Sequence, residues 1–265
     1  MLVLLPSINF AKPALDSLVL QRVFSFRRNF AHDIGEVDKN IYLRYSFRTL
    51  KRNPTLYMVP TMYTIAKGER SYIGETYGQI SYRDGHSYNI RRQLVVGTIP
   101  RHRRTMPTVI QYITPNIYSA FIFKNHLLSP FNINNRKYYK YHISKINNDL
   151  VILSFRPRLN NTQLLRGYSV VDYNTGRVMK AKFEGEYDMI TFKIFVNMGN
   201  TVEDSPLLPI ECSTEATFKF TGNRIKASCM ARYDCSTTLP DSLKDVDDIH
   251  LMNQIRPDTL TEFEK

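Results

Sequence analysis

The sequence predicts a mainly β chain with a minority of helix: a curled antiparallel meander or half-open barrel, with an N-terminal helix and short covering helices. Three observations carry this. Apolar and polar residues alternate with period two over long stretches. Short turn sequences separate the alternating runs. Tyr and Phe are abundant, at 17 and 15 residues with no Trp, and both suit half-buried pleated surfaces. At 265 residues, 43% hydrophobic and 23% charged, the chain is globular and long enough to bury a sizeable core.

The first periodic segment is helical. Asp16-Ser17 is placed to cap a helix in which Leu18, Val19, Val23, Phe26 and Phe30 recur at helical spacing. Arg22, Arg27 and Arg28 give it a basic face, and Gly35 ends it. From Ile41 the period becomes two: Ile41, Leu43, Tyr45 and Phe47 alternate with Tyr42, Arg44, Ser46 and Arg48. Leu56 to Met62 reads as a short strand, with Pro60 at an edge or bend. Tyr77 to Tyr82 and Tyr88 to Val96 flank Asp84-Gly85, a hairpin turn pair.

Residues 101–131 are irregular. Pro107, Pro115 and Pro130 interrupt them, and Met106 to Tyr118 suits short helices covering a sheet. After Tyr138 the alternation is regular. Tyr139 to Ile143 meets Leu150 to Ser154 across Asn147-Asn148-Asp149. Leu165 to Asp172 meets Arg177 to Glu184 through Asn174-Thr175-Gly176. Met189 to Val196 follows a turn at Gly185-Glu186-Tyr187, and Ala216 to Phe220 meets Ile225 to Tyr233 across Thr221-Gly222-Asn223. Successive hairpins specify antiparallel pairing, and accumulated twist curls so long a meander.

Three units follow: residues 1–15, an apolar stretch with the character of a shortened export signal; residues 16–238, one β-rich domain; and residues 239–265, an acidic tail. Met1-Leu2-Val3-Leu4-Leu5 is apolar, and Ala11 and Ala14 are small, but no basic residue precedes the run. No stretch approaches the length of an apolar membrane helix.

Charge is unevenly spread. Residues 1–104 carry 17 Lys and Arg against 7 Asp and Glu, residues 105–200 carry 12 against 5, and residues 201–265 carry 7 against 12. A basic body points to anionic partners such as lipid head groups, glycolipid or nucleic acid, or is a solvated surface. Its densest part is Arg91-Arg92 on a strand followed by Arg101, Arg103 and Arg104 in a loop. The planar guanidinium fork suits phosphate and carboxylate. Tyr82, Tyr88 and Tyr112 nearby make a single-stranded nucleic-acid platform conceivable, but no RNA-binding signature accompanies them. In the covering segment Met106, Ile110, Ile113 and Ile117 either face an apolar cleft against the sheet or complete its core.

Little points to catalysis. No nucleophile elbow, zinc-protease helix, dinucleotide fingerprint or P-loop occurs. The six histidines are scattered, with none at metal-ligand spacing. Glu184, Glu186 and Asp188 sit together around the expected turn and read as a solvated turn rather than an acid–base pair. Cys212, Cys229 and Cys235 form no C-x-x-C and read as unpaired buried thiols. No cofactor or metal is expected.

Three signatures recur in a known order: Ser129-Pro130-Phe131 followed by Tyr138-Tyr139-Lys140-Tyr141; Phe155-Arg156-Pro157-Arg158 after a strand; and Leu251-Met252, Ile255-Arg256-Pro257, Leu260-Thr261 and Glu264-Lys265 in the tail. In these the chain resembles an uncharacterised Bacteroidota outer-membrane protein family, often described as carboxypeptidase-like regulatory-domain proteins. The resemblance covers roughly residues 16–265 and implies an exported, periplasmic β-rich domain similar to lipoprotein carriers of the LolA type. It also implies a C-terminal membrane β-barrel, which is not within this sequence, so the chain reads as a fragment. The regulatory domain is not evident. The resemblance implies no catalytic residues. The functional expectation is a non-catalytic binding or scaffold domain at the periplasmic side of the outer membrane, with lipid, glycolipid or an envelope protein as partner. The alternative is a cytoplasmic basic nucleic-acid-binding protein.

Overall fold

The computed structural model describes residues 11–30, 37–67, 70–83, 87–97, 116–122, 126–187, 189–199 and 209–233. A helix, α1 (Ala11–Phe30), precedes strand β1 (Val37–Lys51). A 3-10 turn (Pro54–Met58) and α2 (Pro60–Ala66) lead to β2 (Ser71–Arg83) and β3 (Ser87–Gly97). A short ribbon, β4 (Phe121–Ile122) with β5 (Leu127–Leu128), and a 3-10 turn (Ile133–Tyr138) come before seven more strands. These are β6 (Tyr139–Lys145), β7 (Leu150–Pro157), β8 (Arg166–Asp172), β9 (Val178–Tyr187), β10 (Ile190–Asn197), β11 (Glu211–Phe220) and β12 (Asn223–Tyr233).

Ten of the strands form one antiparallel sheet in the order β3-β2-β1-β12-β11-β10-β9-β8-β7-β6. It is two meanders, β1 to β3 and β6 to β12, joined where the first strand pairs with the last. The expected curled, open meander is therefore present. The join is set by pattern: Ile41, Leu43, Tyr45 and Phe47 lie opposite Tyr233, Ala231, Cys229 and Ala227. Residues directly opposite share a face, so this register puts both apolar sets on the same side.

That inner side holds the core. α1 contributes Val19, Val23 and Phe26, all at most 1% exposed. Its docking is polar as well as apolar. Arg22 Nη1 donates to the Tyr173 carbonyl at 2.6 Å, and its guanidinium lies 4.8 Å from the Tyr173 ring centre. Residues 116–122 and 126–138 cover the neighbouring part of the sheet. Phe131 packs edge-on to Phe155 and Phe183, with centroids 5.5 and 5.8 Å away. A second, smaller apolar cluster lies at the opposite end of β11 and β12, where Leu56 and Ala66 cap Phe218 and Ile225.

Several local expectations are corrected. Leu56 to Met62 is not a strand. Asn53 accepts from the Thr55 amide, and Pro54 and Pro60 occupy first-turn positions, where their missing amide hydrogens cost nothing. Gly185-Glu186-Tyr187 is not a turn: all three lie in β9, opposite Phe192, Thr191 and Ile190. The chain reverses beyond them, where Met189 takes a left-handed φ of 67°. Asp16 and Ser17 lie within α1 rather than at its start, because the helix already runs at Ala11. The Asp84-Gly85 turn, Gly35 and residues 106–115 of the expected covering helices lie outside the described residues. Residues 116–120 are turn and bend.

Candidate functional site

The first two sequence signatures prove to be fastening devices; the tail signature lies outside the described residues. Ser129 is buried; its hydroxyl donates to the Ile117 carbonyl and accepts from the Phe131 amide. Tyr139 donates to the Leu128 carbonyl at 2.6 Å and accepts from the Leu165 amide at 3.1 Å. Tyr141 donates to the Pro130 carbonyl at 2.7 Å, and Arg158 Nε donates to the Tyr139 carbonyl at 2.8 Å. The Ser129 bonds fasten the covering segment to itself, the Tyr139 and Tyr141 hydroxyls tie it to β6, and Leu165 and Arg158 tie the loop after β7 to Tyr139. Burial pushes the Tyr118, Tyr139 and Tyr141 hydroxyls well above the usual phenol range. All three serve here as neutral hydrogen-bonding groups.

Ile117 is fully buried in the main core. Met106, Ile110 and Ile113 lie outside the described residues, as do Arg101, Arg103 and Arg104. The backbone places Arg91 and Arg92 on the edge strand β3, opposite Gln79 and Gly78, beside a register shift. Cys212 and Cys229 are free and buried; Cys235 lies outside the described residues.

The inner face has an architecture that the sequence alone did not reveal. Across β9 to β12 the registers define four rows. Ala181, Val196, Cys212 and Ala231 form the first, and Phe183, Ile194, Thr214 and Cys229 the second. Gly185, Phe192, Ala216 and Ala227 form the third, and Tyr187, Ile190, Phe218 and Ile225 the fourth. The first row is buried, and the second is buried except for half-buried Thr214. In the third every member is only half-buried. In the fourth, Phe218 and Ile225 are buried beneath Leu56 and Ala66. The third row is a band between two separately covered apolar clusters. Three of its four residues have no side chain beyond a methyl. Four strands carry it over about 14 Å. A Cβ at Gly185 would lie 2.7 Å from the Phe192 ring and 2.9 Å from Leu165, so a larger residue there displaces those side chains.

The outer face is polar over β8 to β11. Glu184 accepts from Lys182 at 2.8 Å and lies 3.4 Å from Arg166. The bond from Lys182 holds the Glu184 carboxyl below its ordinary range. Lys193 and Glu215, opposite each other on β10 and β11, continue the alternation of charge. Together with the loop 157–164 and with Arg224 and Lys226 of β12, these strands bound a hollow of about 750 Å³. Glu184, read from sequence as a turn residue, stands on this face beside Lys182 and Arg166, and Glu186 follows it on the same face of β9. Among the described residues, no three His, Cys, Asp or Glu are grouped to hold a metal ion, and no helix is long and apolar enough to cross a membrane.

No curated protein matches the chain. Among solved structures it is similar to a LolA superfamily protein from Nitrosomonas europaea, at 10% identity and TM-score 0.25, covering 85% of this chain and 94% of that one. A putative outer-membrane lipoprotein-sorting protein domain from Vibrio parahaemolyticus matches at 12% identity and TM-score 0.33, over 87% and 94% of the two chains. The MucA/MucB complex of Pseudomonas aeruginosa matches at 9% identity and TM-score 0.24, over 85% and 95%. Nothing about ligand or partner follows from scores this low. A family model matches residues 19–236, and the chain belongs to that family, the family of unknown function DUF5686.

Proposed function

We propose that this chain is a non-catalytic binding domain of the cell envelope whose inner face receives an alkyl chain. The observation that carries the reading is the half-buried row Gly185, Phe192, Ala216 and Ala227, lying between two covered apolar clusters. The short side chains of Ala216 and Ala227 leave room above the sheet beside Phe192, while Phe192 and Leu165 fill the space over Gly185. Each methylene hidden there gains roughly 0.8 kcal/mol. The periplasmic location and association with the outer membrane are part of the proposal. So are the Bacteroidota affiliation and the link to carboxypeptidase-like regulatory-domain proteins, which are supported only by the sequence signatures.

Native mass spectrometry of protein purified without detergent tests the reading. A bound acyl species is expected in the wild type and absent from the double variant Ala216→Phe/Ala227→Phe, whose rings fill the row. A wild type that is consistently empty, and that gains no thermal stability from added fatty acid or phospholipid, would refute it, because a ligand specific for the folded state must stabilise that state.

A further inference from the structure

A different surface carries a second kind of contact. Where β1, β12 and β11 meet at one end of the sheet, like charges stand opposite one another. Lys51 lies opposite Arg224, and Arg224 lies opposite Lys219. One step further in, Arg48 lies opposite Lys226. All five side chains are exposed, and none has a carboxylate partner among the described residues. Residues 48–67 and 216–233 contain no Asp or Glu at all. Among the described residues the nearest carboxylate by register on this face is Glu215, one inward position beyond Thr217, the partner of Lys226. Like charges directly opposite destabilise a sheet, so an anion held here relieves a cost built into the fold.

The same corner exposes apolar side chains. A register shift between Thr49 and Lys51 leaves Leu50 unpaired and 43% exposed. Leu50 and Phe220, with Lys51, Lys219 and Arg224, line a hollow of about 580 Å³. Beside it the 3-10 turn presents Tyr57 and Met58, 66% and 62% exposed. The turn is held rigidly. Asn53 Nδ2 donates to the Thr221 carbonyl at 2.6 Å, and buried Asn223 Nδ2 donates to Asn53 Oδ1 at 2.9 Å and to Thr55 Oγ1 at 3.0 Å. Tyr57 and Met58 are therefore displayed on a pinned loop.

We infer that this corner docks on an anionic phospholipid surface. Arg48, Lys51, Lys219, Arg224 and Lys226 meet the phosphates, while Leu50, Tyr57 and Met58 enter the headgroup boundary. Basic residues combined with aliphatic and aromatic side chains on one edge are the chemistry of interfacial attachment. Leu50 and Met58 favour lipid over nucleic acid, which would call for a flat aromatic platform. The inference is independent of the inner-face site, since a docked domain could carry no alkyl chain and a carrier need not dock.

Co-sedimentation with vesicles tests it, using phosphatidylglycerol mixed with phosphatidylcholine against phosphatidylcholine alone. The wild type is expected to bind only the anionic vesicles, and less as salt rises. The variant Lys51→Ser/Lys219→Ser/Arg224→Ser is expected to bind them roughly 100-fold more weakly, with a melting temperature no lower than the wild type. Tyr57→Ser/Met58→Ser, which touches only exposed positions, is expected to weaken binding with the basic residues intact. A folded triple variant that binds as well as the wild type overturns the proposal. So does a wild type that ignores these vesicles and binds a single-stranded oligonucleotide instead.

Discussion

Gly176 is pressed against the backbone of Arg22. At its left-handed φ of 79°, a Cβ would lie 2.6 Å from both the Arg22 carbonyl oxygen and the Val23 amide nitrogen. The turn between β8 and β9 thus forms the seat of α1, and no side chain fits between them. Gly176→Ala is expected to lower stability by about 1–3 kcal/mol through the left-handed backbone alone, and further as the helix is displaced. Chemical denaturation measures the loss. A variant as stable as the wild type would show that α1 does not rest on this turn.

Tyr139 joins three pieces of chain through one hydroxyl. It donates to Leu128 and accepts from Leu165, so the covering ribbon, β6 and the approach to β8 meet on a single oxygen. Tyr139→Phe leaves both backbone groups without that partner at a buried site. The expected cost is about 2–3 kcal/mol. Hydrogen exchange should show faster opening at Leu165. Unchanged protection at Leu165 would mean that the segment is held by packing alone.

Buried neutral acids make the fold sensitive to alkali. Burial raises the Cys229 thiol to about 12, and it also raises Cys212 and Tyr118. Each group is an acid whose folded pKa lies above its unfolded one. The stability linked to each is fully present below the unfolded value and is lost as pH rises through the window toward the folded value. For the thiols that loss begins near the ordinary cysteine pKa of about 8.5. The melting temperature is expected to fall progressively above about pH 9. Alkylation at neutral pH should spare Cys212 and Cys229 in the folded chain. A melting temperature that stays flat to about pH 11 would contradict this account of the core.

Much of the sheet was legible because its strands bury one face. Ile41, Leu43, Tyr45 and Phe47 declare β1, and the hairpins after Tyr138 announce themselves by alternation. Gly176 was readable as a turn glycine, though not as the seat of a helix. Gly185 misled because glycine usually marks a turn; here it admits Phe192 and Leu165 at close range. Leu56 to Met62 misled because its apolar residues do not share one buried face: Leu56 is buried, while Met58 stands exposed on a 3-10 turn pinned by Asn53. The inner row and the basic corner were not legible. Gly185, Phe192, Ala216 and Ala227 come from four strands, and Lys51 meets Arg224 only because β1 pairs with β12. Long-range register created both, and no local pattern encodes it.

The absence of Trp from the chain allows the inner row to report on itself. Phe192→Trp places a single indole in the row. Titration with a fatty acid carrying a mid-chain nitroxide then measures contact between the row and an alkyl chain. The account predicts saturable quenching that an unlabelled fatty acid reverses and that Ala216→Phe/Ala227→Phe abolishes. An indole that stays unquenched in a folded protein, or is quenched equally with the row filled, would contradict the claim that this face receives an alkyl chain.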